Sequence, residues 1–306
     1  MMRRTRPGEA VSRRRTAKVV AVLGSCALTI GVTGTASAAA GERHGTPRST
    51  YVALGDSYTS GPAIPLQVDA NCARSDHNYP SITARARRVA SFTDVSCGGA
   101  TTTEMWQAQG TNGPQLDAVK RDTDLVTLQI GGNDVGFGSI ISTCAGLGSK
   151  DLSGNPCQQY YGAAGYDQLT LKILQTAPKV ARVLRAVHAK APHARVVVVG
   201  YPDLLPDDGT GCYPIVPFAA KDFPYLRDTG KRLNVMLRAV ALLNRADYVD
   251  TYGPTVGHDM CKAPADRWIE PLSPASPAAP AHPNAKGQEA MAQALAKTLS
   301  SGSGHR

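Results

Sequence analysis

The sequence predicts one α/β domain built on a doubly wound parallel sheet. Strand and helix patterns alternate along the chain, as they do in doubly wound folds. The strand patterns are continuously apolar, which is typical of strands that are covered by helices on both faces. The chain is also long enough to enclose one large core.

The predicted strands are short runs rich in β-branched and aromatic residues. They are Tyr51–Leu54, Phe92–Val95, Leu125–Ile130, Arg195–Gly200 and Tyr248–Thr251. Apolar residues at helical spacing predict helices over Tyr79–Val89, Asn112–Arg121, Tyr166–His188 and Lys221–Asn244, and a last helix capped by Asn284 that runs to Leu299. Three stretches rich in Gly or Pro are expected to be long loops: Gly136–Ala164, Tyr201–Phe218 and Gly253–Pro283.

Residues 1–38 have the pattern of a secretory signal peptide. Seven basic residues precede an apolar stretch from Val19 to about Val32, and Ala36-Ser37-Ala38 follows. The apolar stretch is shorter than the roughly 20 residues that a membrane span needs. We expect cleavage at residue 38, or as late as residue 40, to release a secreted, extracellular protein. Residues 39–299 would then form a single domain and residues 300–306 a flexible tail.

The charge of the chain does not point to a nucleic-acid partner. The sequence has 33 basic and 24 acidic residues, a net charge of +9. Residues 1–38 contain seven of the basic residues and one of the acidic ones, so their removal leaves 26 against 23, or +3. The positive charge therefore lies largely in the predicted signal peptide. We expect a monomer that makes at most transient contact with a membrane or lipid surface.

Six cysteines remain once the signal peptide takes Cys26 with it. They are Cys72, Cys97, Cys144, Cys157, Cys212 and Cys261. An even number of cysteines in an exported chain predicts three disulfides, although six cysteines allow 15 pairings. No Cys-x-x-Cys sequence occurs, and we expect no metal and no other cofactor.

Three predicted strands end in short polar or glycine-rich sequences. Ser57 ends a Gly-Asp-Ser sequence after the first strand, Gly99 belongs to a Gly-Gly pair after the second, and Asn133 belongs to Gly-Gly-Asn-Asp after the third. Each sequence alone is also typical of an ordinary turn. Ligands of open parallel sheets, however, bind beyond the carboxyl ends of the strands. Ser57 is therefore a candidate nucleophile, and the Gly99 amide and the Asn133 side chain are candidate oxyanion donors.

His282 is the candidate base. A serine hydroxyl is a weak nucleophile and needs a group that takes its proton. An unperturbed histidine titrates near pH ~6.5, so it can accept that proton and return it to a leaving group. His282 lies in a His-Pro-Asn sequence just before the last predicted helix, at the end of a Pro-rich stretch.

These four motifs, in the order Gly-Asp-Ser, Gly, Gly-x-Asn-Asp and a late His, resemble those of the SGNH hydrolases, also called GDSL lipases and esterases. The resemblance extends over about Tyr51–Leu299. The export signal, the six cysteines and the sequence Gly-Gly-Asn-Asp-Val-Gly-Phe are similar to those of the secreted bacterial lipase, esterase and phospholipase A group. The fold that this implies is the SGNH hydrolase fold, a three-layer α/β/α sandwich with a flavodoxin-like sheet.

The resemblance also implies roles for individual residues. Ser57 would be the nucleophile and His282 the base, with an oxyanion hole formed by the Ser57 amide, the Gly99 amide and the Asn133 side chain. Asp56 and Asp134 are expected to brace their loops. The implied disulfides join Cys72 with Cys97, Cys144 with Cys157, and Cys212 with Cys261.

One position departs from the wider family. Many members have an Asp three residues before the His, whereas this chain has Ala279 there. We therefore expect a backbone carbonyl, from Ala279 or Pro280, to orient the imidazole in a Ser-His dyad. The alternative is a distant acid, Asp259 or Asp266, that folds back onto His282.

The expected function is that of a secreted serine ester hydrolase acting on a lipid or small ester substrate. A carbohydrate O-acetyl esterase is the alternative, and a non-catalytic secreted binding protein is a weaker one. Hydrolysis of lipid esters requires an apolar cleft for the acyl chain. Its candidate lining residues are Trp106, Phe137, Ile140, Ile141, Ile215, Val216 and Phe218.

Overall fold

The computed structural model describes residues 49–301. The predicted signal peptide and the last five residues of the predicted tail lie outside the described residues. The first two residues of that tail belong to the last helix, which runs to Ser301. Across the described range, no helix is both long enough and apolar enough to cross a membrane.

Seven strands in the described part of the chain form two sheets. They are β1 (Thr50–Gly55), β2 (Gln67–Asp69), β3 (Arg74–Ser75), β4 (Ser91–Asp94), β5 (Leu125–Gln129), β6 (Arg195–Val199) and β7 (Asp247–Val249). β2 and β3 pair as a small antiparallel hairpin, and the other five form a parallel sheet in the order β4-β1-β5-β6-β7. The winding direction changes between β1 and β5, which opens a crevice at their carboxyl ends.

Between residues 49 and 301, eight α-helices accompany the strands. They are α1 (Ser57–Ser60), α2 (Tyr79–Arg87), α3 (Gly132–Val135), α4 (Phe137–Gly148), α5 (Pro156–Gly162), α6 (Gln168–Lys190), α7 (Asp222–Leu243) and α8 (Ala285–Ser301). Successive side chains of a strand point to opposite faces of the sheet. Val52 and Leu54 of β1 accordingly lie in the core with α6 and α7, whereas Tyr51 and Ala53 lie in a second core with α2 and α8. The predicted three-layer α/β/α fold is confirmed.

All five predicted strands are present, with ends shifted by no more than two residues. The helix predicted over Asn112–Arg121 is wrong, because only a 3-10 turn at Gln115–Ala118 occurs there. The buried side chain of Gln115 bonds both backbone groups of Gly55, accepting from its amide at 2.8 Å and donating to its carbonyl at 2.9 Å. These bonds tie the segment to the end of β1 in place of a longer helix.

The loop predicted over Gly136–Ala164 is also wrong, since α4 and α5 occupy most of it. Its glycines suggested helix breakers, but Gly148 instead allows the end of α4 to pack closely against the backbone near Ala219. A Cβ at Gly148 would lie 2.6 Å from the backbone nitrogen of Ala219. The other two predicted loops, Tyr201–Phe218 and Gly253–Pro283, contain no α-helix or β-strand among their residues, all of which are described.

Three disulfides hold these segments together. They join Cys72 with Cys97, Cys144 with Cys157, and Cys212 with Cys261, the pairs that the resemblance implies. The second joins α4 to α5, and the third joins the two long loops. Loops at the carboxyl edge of the sheet are thereby restrained.

Candidate active site

Ser57 lies at the point where β1 passes directly into α1. Asp56 caps this helix, because its side chain accepts a hydrogen bond from the Tyr58 amide at 2.9 Å. Gly55 leaves no room for a side chain, since a Cβ would lie 2.2 Å from Thr59 Oγ1. The Gly-Asp-Ser sequence thus forms a tight turn that puts the Ser57 hydroxyl beyond the carboxyl end of the strand.

The His282 imidazole bridges Ser57 and a backbone carbonyl. The Ser57 hydroxyl lies 2.7 Å from Nε2, and the Pro280 carbonyl oxygen lies 2.7 Å from Nδ1. A carbonyl can only accept, so Nδ1 carries the proton and Nε2 accepts from Ser57. Of the two predicted carbonyls, that of Pro280 contacts the ring, whereas that of Ala279 accepts from the His282 backbone amide at 3.2 Å.

Neither of the two distant acids contacts His282. Asp259 accepts from the Cys261 amide at 2.8 Å and lies 3.7 Å from the Lys262 ammonium. The backbone carbonyl of Asp266 contacts the ring of His258. Within the described residues, no carboxylate contacts His282. The geometry is therefore that of a dyad with a backbone carbonyl.

Burial shifts the pKa of both His282 and Asp56. It lowers the pKa of His282 below its ordinary value of 6.5, and the hydrogen bond to Pro280 offsets part of this effect. A lower pKa keeps the imidazole neutral and able to accept a proton at neutral pH. Burial raises the pKa of Asp56 to about 7, against the hydrogen bonds from Tyr201 and Tyr58 that favour its charged form.

We expect kcat/KM for a soluble ester to rise with pH along a limb centred below pH 6.5. His282 must be neutral to act as a base, and a lowered pKa moves its deprotonation to lower pH. The measurement is a pH profile of kcat/KM with a short-chain nitrophenyl ester. A midpoint near pH 7 that disappears in Asp56→Asn would instead identify Asp56 as the controlling group.

The backbone amides of Ser57 and Gly99 and the side-chain amide of Asn133 each have a hydrogen that could be donated to an oxyanion. Asn133 lines the same cleft as Ser57, and its Nδ2 donates to the Ala100 carbonyl at 2.9 Å, which leaves its second hydrogen available. Gly99 has a φ of +79°, a conformation that glycine adopts readily. The amides of Ser57 and Gly99 donate to no acceptor among residues 49–301.

Asp134 and Asp56 connect the loops that carry these groups. Asp134 accepts from the Thr102 amide at 2.8 Å and from its hydroxyl at 2.6 Å, which joins the Asn133 loop to the Gly99 loop. The Tyr201 hydroxyl donates to Asp56 and accepts from the Gly132 amide at 2.9 Å. The contacts of both acids match the predicted bracing of loops.

Glu270 organises the approach to His282, although no sequence motif indicated it. Its carboxylate is fully buried and accepts from Asn284 Nδ2 at 2.8 Å, from the Ala275 amide at 2.9 Å and from the Arg267 guanidinium at 3.2 Å. Its backbone amide donates to the His282 carbonyl at 2.9 Å. The available signal for this buried pair was an Arg and a Glu three positions apart, just before a Pro-rich apolar stretch.

An apolar cleft begins at Ser57. It encloses about 900 Å³, counting the part that is open to solvent. Of the seven predicted lining residues, the structure places four in it: Phe137, Ile140, Ile141 and Phe218. Trp106, Ile215 and Val216 are not among its lining residues, and Trp106 packs instead against the Arg182 guanidinium. Further apolar lining comes from Val135, Ile173, Leu205, Leu226, Leu233 and Met260.

The sequence of the chain matches a family model and curated relatives. The model is that of the GDSL-like lipase/acylhydrolase family, and it matches residues 53–290. A protein named Lipase 2 from Streptomyces coelicolor is 43% identical over 300 residues, which cover 96% of this chain and 99% of that protein. A protein named Esterase from Streptomyces scabiei is 33% identical, covering 94% of this chain and 95% of that protein.

Solved structures resemble the fold over most of their length. A phospholipase A1 from Streptomyces albidoflavus superposes with a TM-score of 0.69 at 28% identity, covering 83% of this chain and 99% of that one. An extracellular lipase from Streptomyces rimosus gives a TM-score of 0.67 at 28% identity, with the same coverage.

Proposed function

The chain belongs to the GDSL-like lipase/acylhydrolase family, and on this premise we propose that it cleaves carboxylic esters of lipids through an acyl-enzyme on Ser57. It is a lipase/esterase, that is, a carboxylic ester hydrolase. The observation that carries the proposal is the hydrogen-bonded series from Ser57 through His282 to Pro280 at the mouth of an apolar cleft.

In the first half of the reaction, His282 Nε2 takes the proton of the Ser57 hydroxyl while Oγ attacks the ester carbonyl carbon. The carbonyl oxygen becomes an oxyanion, which accepts hydrogen bonds from the Ser57 amide, the Gly99 amide and Asn133 Nδ2. The tetrahedral intermediate collapses, and the C–O bond to the alcohol breaks. His282 donates its proton to the departing alcohol, and the acyl group remains on Ser57.

In the second half, water takes the place of the alcohol. His282 accepts a proton from the water as its oxygen attacks the acyl carbon, and the same donors hold the second oxyanion. The bond to Ser57 Oγ then breaks, and His282 returns the proton to it. The products are the free carboxylic acid and the enzyme in its starting protonation state. No cofactor takes part in these steps.

The Pro280 carbonyl replaces the carboxylate of a triad. By accepting from Nδ1–H it fixes the tautomer in which Nε2 is the base. It carries less negative charge than a carboxylate and therefore stabilises the imidazolium less. The oxyanion donors accordingly supply a larger share of the rate enhancement in this enzyme.

The lining of the cleft favours a lipid substrate over an acetylated sugar. Phe137, Ile140, Ile141 and Phe218 offer apolar contacts to a fatty-acyl chain, whereas an acetyl group would leave most of this surface unused. The names of the relatives, lipase and phospholipase A1, agree with this choice. The predicted signal peptide, the three disulfides and the extracellular lipase among the similar structures support secretion.

Contact with a lipid surface is proposed to be transient. Tyr213 and Ile215 are exposed by 56% and 46%, in the loop whose end, Phe218, lines the cleft. Apolar side chains at such a rim can touch a lipid surface without anchoring the protein. One chain supplies Ser57, His282 and the three oxyanion donors, so a monomer is sufficient for activity.

We expect higher kcat/KM for long-chain than for acetyl esters, because only a long acyl chain fills the cleft. The panel comprises nitrophenyl esters from acetyl to palmitoyl, triacylglycerol, phosphatidylcholine and acetylated xylan. Ile141→Phe, which narrows the cleft, should lower kcat/KM roughly tenfold for long chains only. Leu242→Phe, at an exposed position of α7, is the matched control.

A labelling experiment tests the nucleophile. A fluorophosphonate should label Ser57, as located by mass spectrometry, and should not label Ser57→Ala. Labelling at another residue would refute the assignment of the nucleophile.

The ester panel also tests the substrate class. Faster hydrolysis of acetylated xylan than of any long-chain ester would favour the carbohydrate O-acetyl esterase.

A further inference from the structure

Tyr58 connects the nucleophile to the turn that carries the base. It follows Ser57 directly in α1 and is 2% exposed. Its hydroxyl donates to the Ala281 carbonyl at 2.6 Å, and its ring centroid lies 4.7 Å from that of His282. The side chain thus contacts both the imidazole and the backbone next to it.

The backbone of Ala281 has a conformation that alanine rarely adopts unless neighbouring contacts hold it there. Its φ is +59°, in the left-handed region, where the Cβ of an L-residue crowds the backbone. Ala281 lies between Pro280, whose carbonyl orients the imidazole, and His282 itself. A change in its backbone would move the imidazole and its orienting carbonyl relative to Ser57.

Hydrogen bonds to several other segments fix this turn, including one from the Ala281 amide to the Pro271 carbonyl at 3.4 Å. The Ala279 amide donates to the Pro62 carbonyl at 3.0 Å, and the Glu270 amide donates to the His282 carbonyl at 2.9 Å. The hydrogen bond from the Tyr58 hydroxyl to the Ala281 carbonyl comes from a side chain of α1, the helix that carries Ser57. It therefore couples the position of the turn to that of the nucleophile.

We propose that Tyr58 is a positioning residue, which holds the Ala281 turn so that His282 Nε2 stays within hydrogen-bond distance of Ser57. The inference rests on the proposed function, in which Ser57 and His282 act as a dyad. Among residues 49–301, no carboxylate holds the imidazole in this dyad. The alignment of the ring therefore depends on the backbone of the turn, and the Tyr58 hydroxyl supports that backbone.

The test compares Tyr58→Phe with Tyr51→Phe. Each variant removes one buried hydroxyl and one hydrogen bond, since Tyr51 pairs with Thr127 Oγ1 at 2.8 Å in the core on the other face of the sheet. Both should lose similar thermal stability. In Tyr58→Phe, kcat should fall by about 10-fold to 100-fold with KM nearly unchanged, because small misplacements of reacting groups slow chemistry more than binding. In Tyr51→Phe, kcat should stay at the wild-type value.

A spectroscopic measurement reports the alignment directly. The Nδ1 proton of His282, bound to the Pro280 carbonyl, should give a downfield resonance in wild type and Tyr51→Phe that broadens in Tyr58→Phe. An unchanged kcat in Tyr58→Phe, or an equal loss of kcat in both variants, would overturn the inference. If a fluorophosphonate failed to label Ser57 in the wild-type protein, the proposed function itself would be refuted. Labelling of wild-type Ser57 together with an unchanged kcat in Tyr58→Phe would refute only the role of Tyr58.

Discussion

Replacing either Ser57 or His282 by alanine should reduce kcat for ester hydrolysis by at least about 10⁴-fold. In the proposed reaction, Ser57 Oγ forms the covalent bond to the acyl group, and His282 takes and returns the proton at Nε2, which lies 2.7 Å from Oγ. Because the two act as a unit, the double variant should be little slower than either single variant. The measurement is kcat with a nitrophenyl ester, with circular dichroism to check the fold.

Asp259→Asn and Asp266→Asn are the controls that separate a dyad from a triad. Asparagine keeps an oxygen that can accept from the Cys261 amide, so Asp259→Asn should preserve the local structure. Neither acid contacts His282, and kcat should stay near the wild-type value in both variants. A loss of kcat in either folded variant approaching that of His282→Ala would mean that a carboxylate completes a triad.

Local patterns were sufficient to predict the sheet and the positions of Ser57, Gly99 and Asn133. Each of these residues follows a predicted strand, although the pattern before Gly99 is weaker than the other two, and parallel strands bring their carboxyl ends to one edge. The order of the motifs, and the predicted helix that follows His282, were sufficient to predict this histidine as the base. The catalytic assignment of these residues stays a prediction until the variants are measured.

The supporting contacts could not be predicted, because they join residues that are far apart in sequence. Tyr201 and Asp56 are separated by 145 positions, and Tyr58 and Ala281 by 223. Nothing near Tyr58 in sequence indicates its partner. Gly148 shows a second difficulty: a glycine that ends a helix and one that permits close packing are indistinguishable in a single sequence.

Asn133→Ala should lower kcat by about 100-fold to 1000-fold with little change in KM. In the proposed mechanism the side chain donates to the oxyanion, a charge that exists in the transition state and not in the bound ester. Its loss should therefore slow the chemistry more than it weakens binding. Its Nδ2 also bonds the Ala100 carbonyl at 2.9 Å, which holds the amide in place for the second hydrogen bond. The measurement is kcat and KM with one ester across the variants.

Asn133→Asp is the sharper variant, because it keeps the shape of the side chain and replaces both amide hydrogens by an acceptor. A carboxylate would repel the oxyanion, so this variant should be at least as slow as Asn133→Ala. Asn155→Ala removes a half-buried amide at the start of α5, which does not line the cleft, and should leave kcat unchanged. If Asn133→Ala raised KM and spared kcat, Asn133 would bind the ground state of the substrate instead. Because the Pro280 carbonyl stabilises the imidazolium less than a carboxylate would, the loss in Asn133→Ala is expected near the upper end of this range.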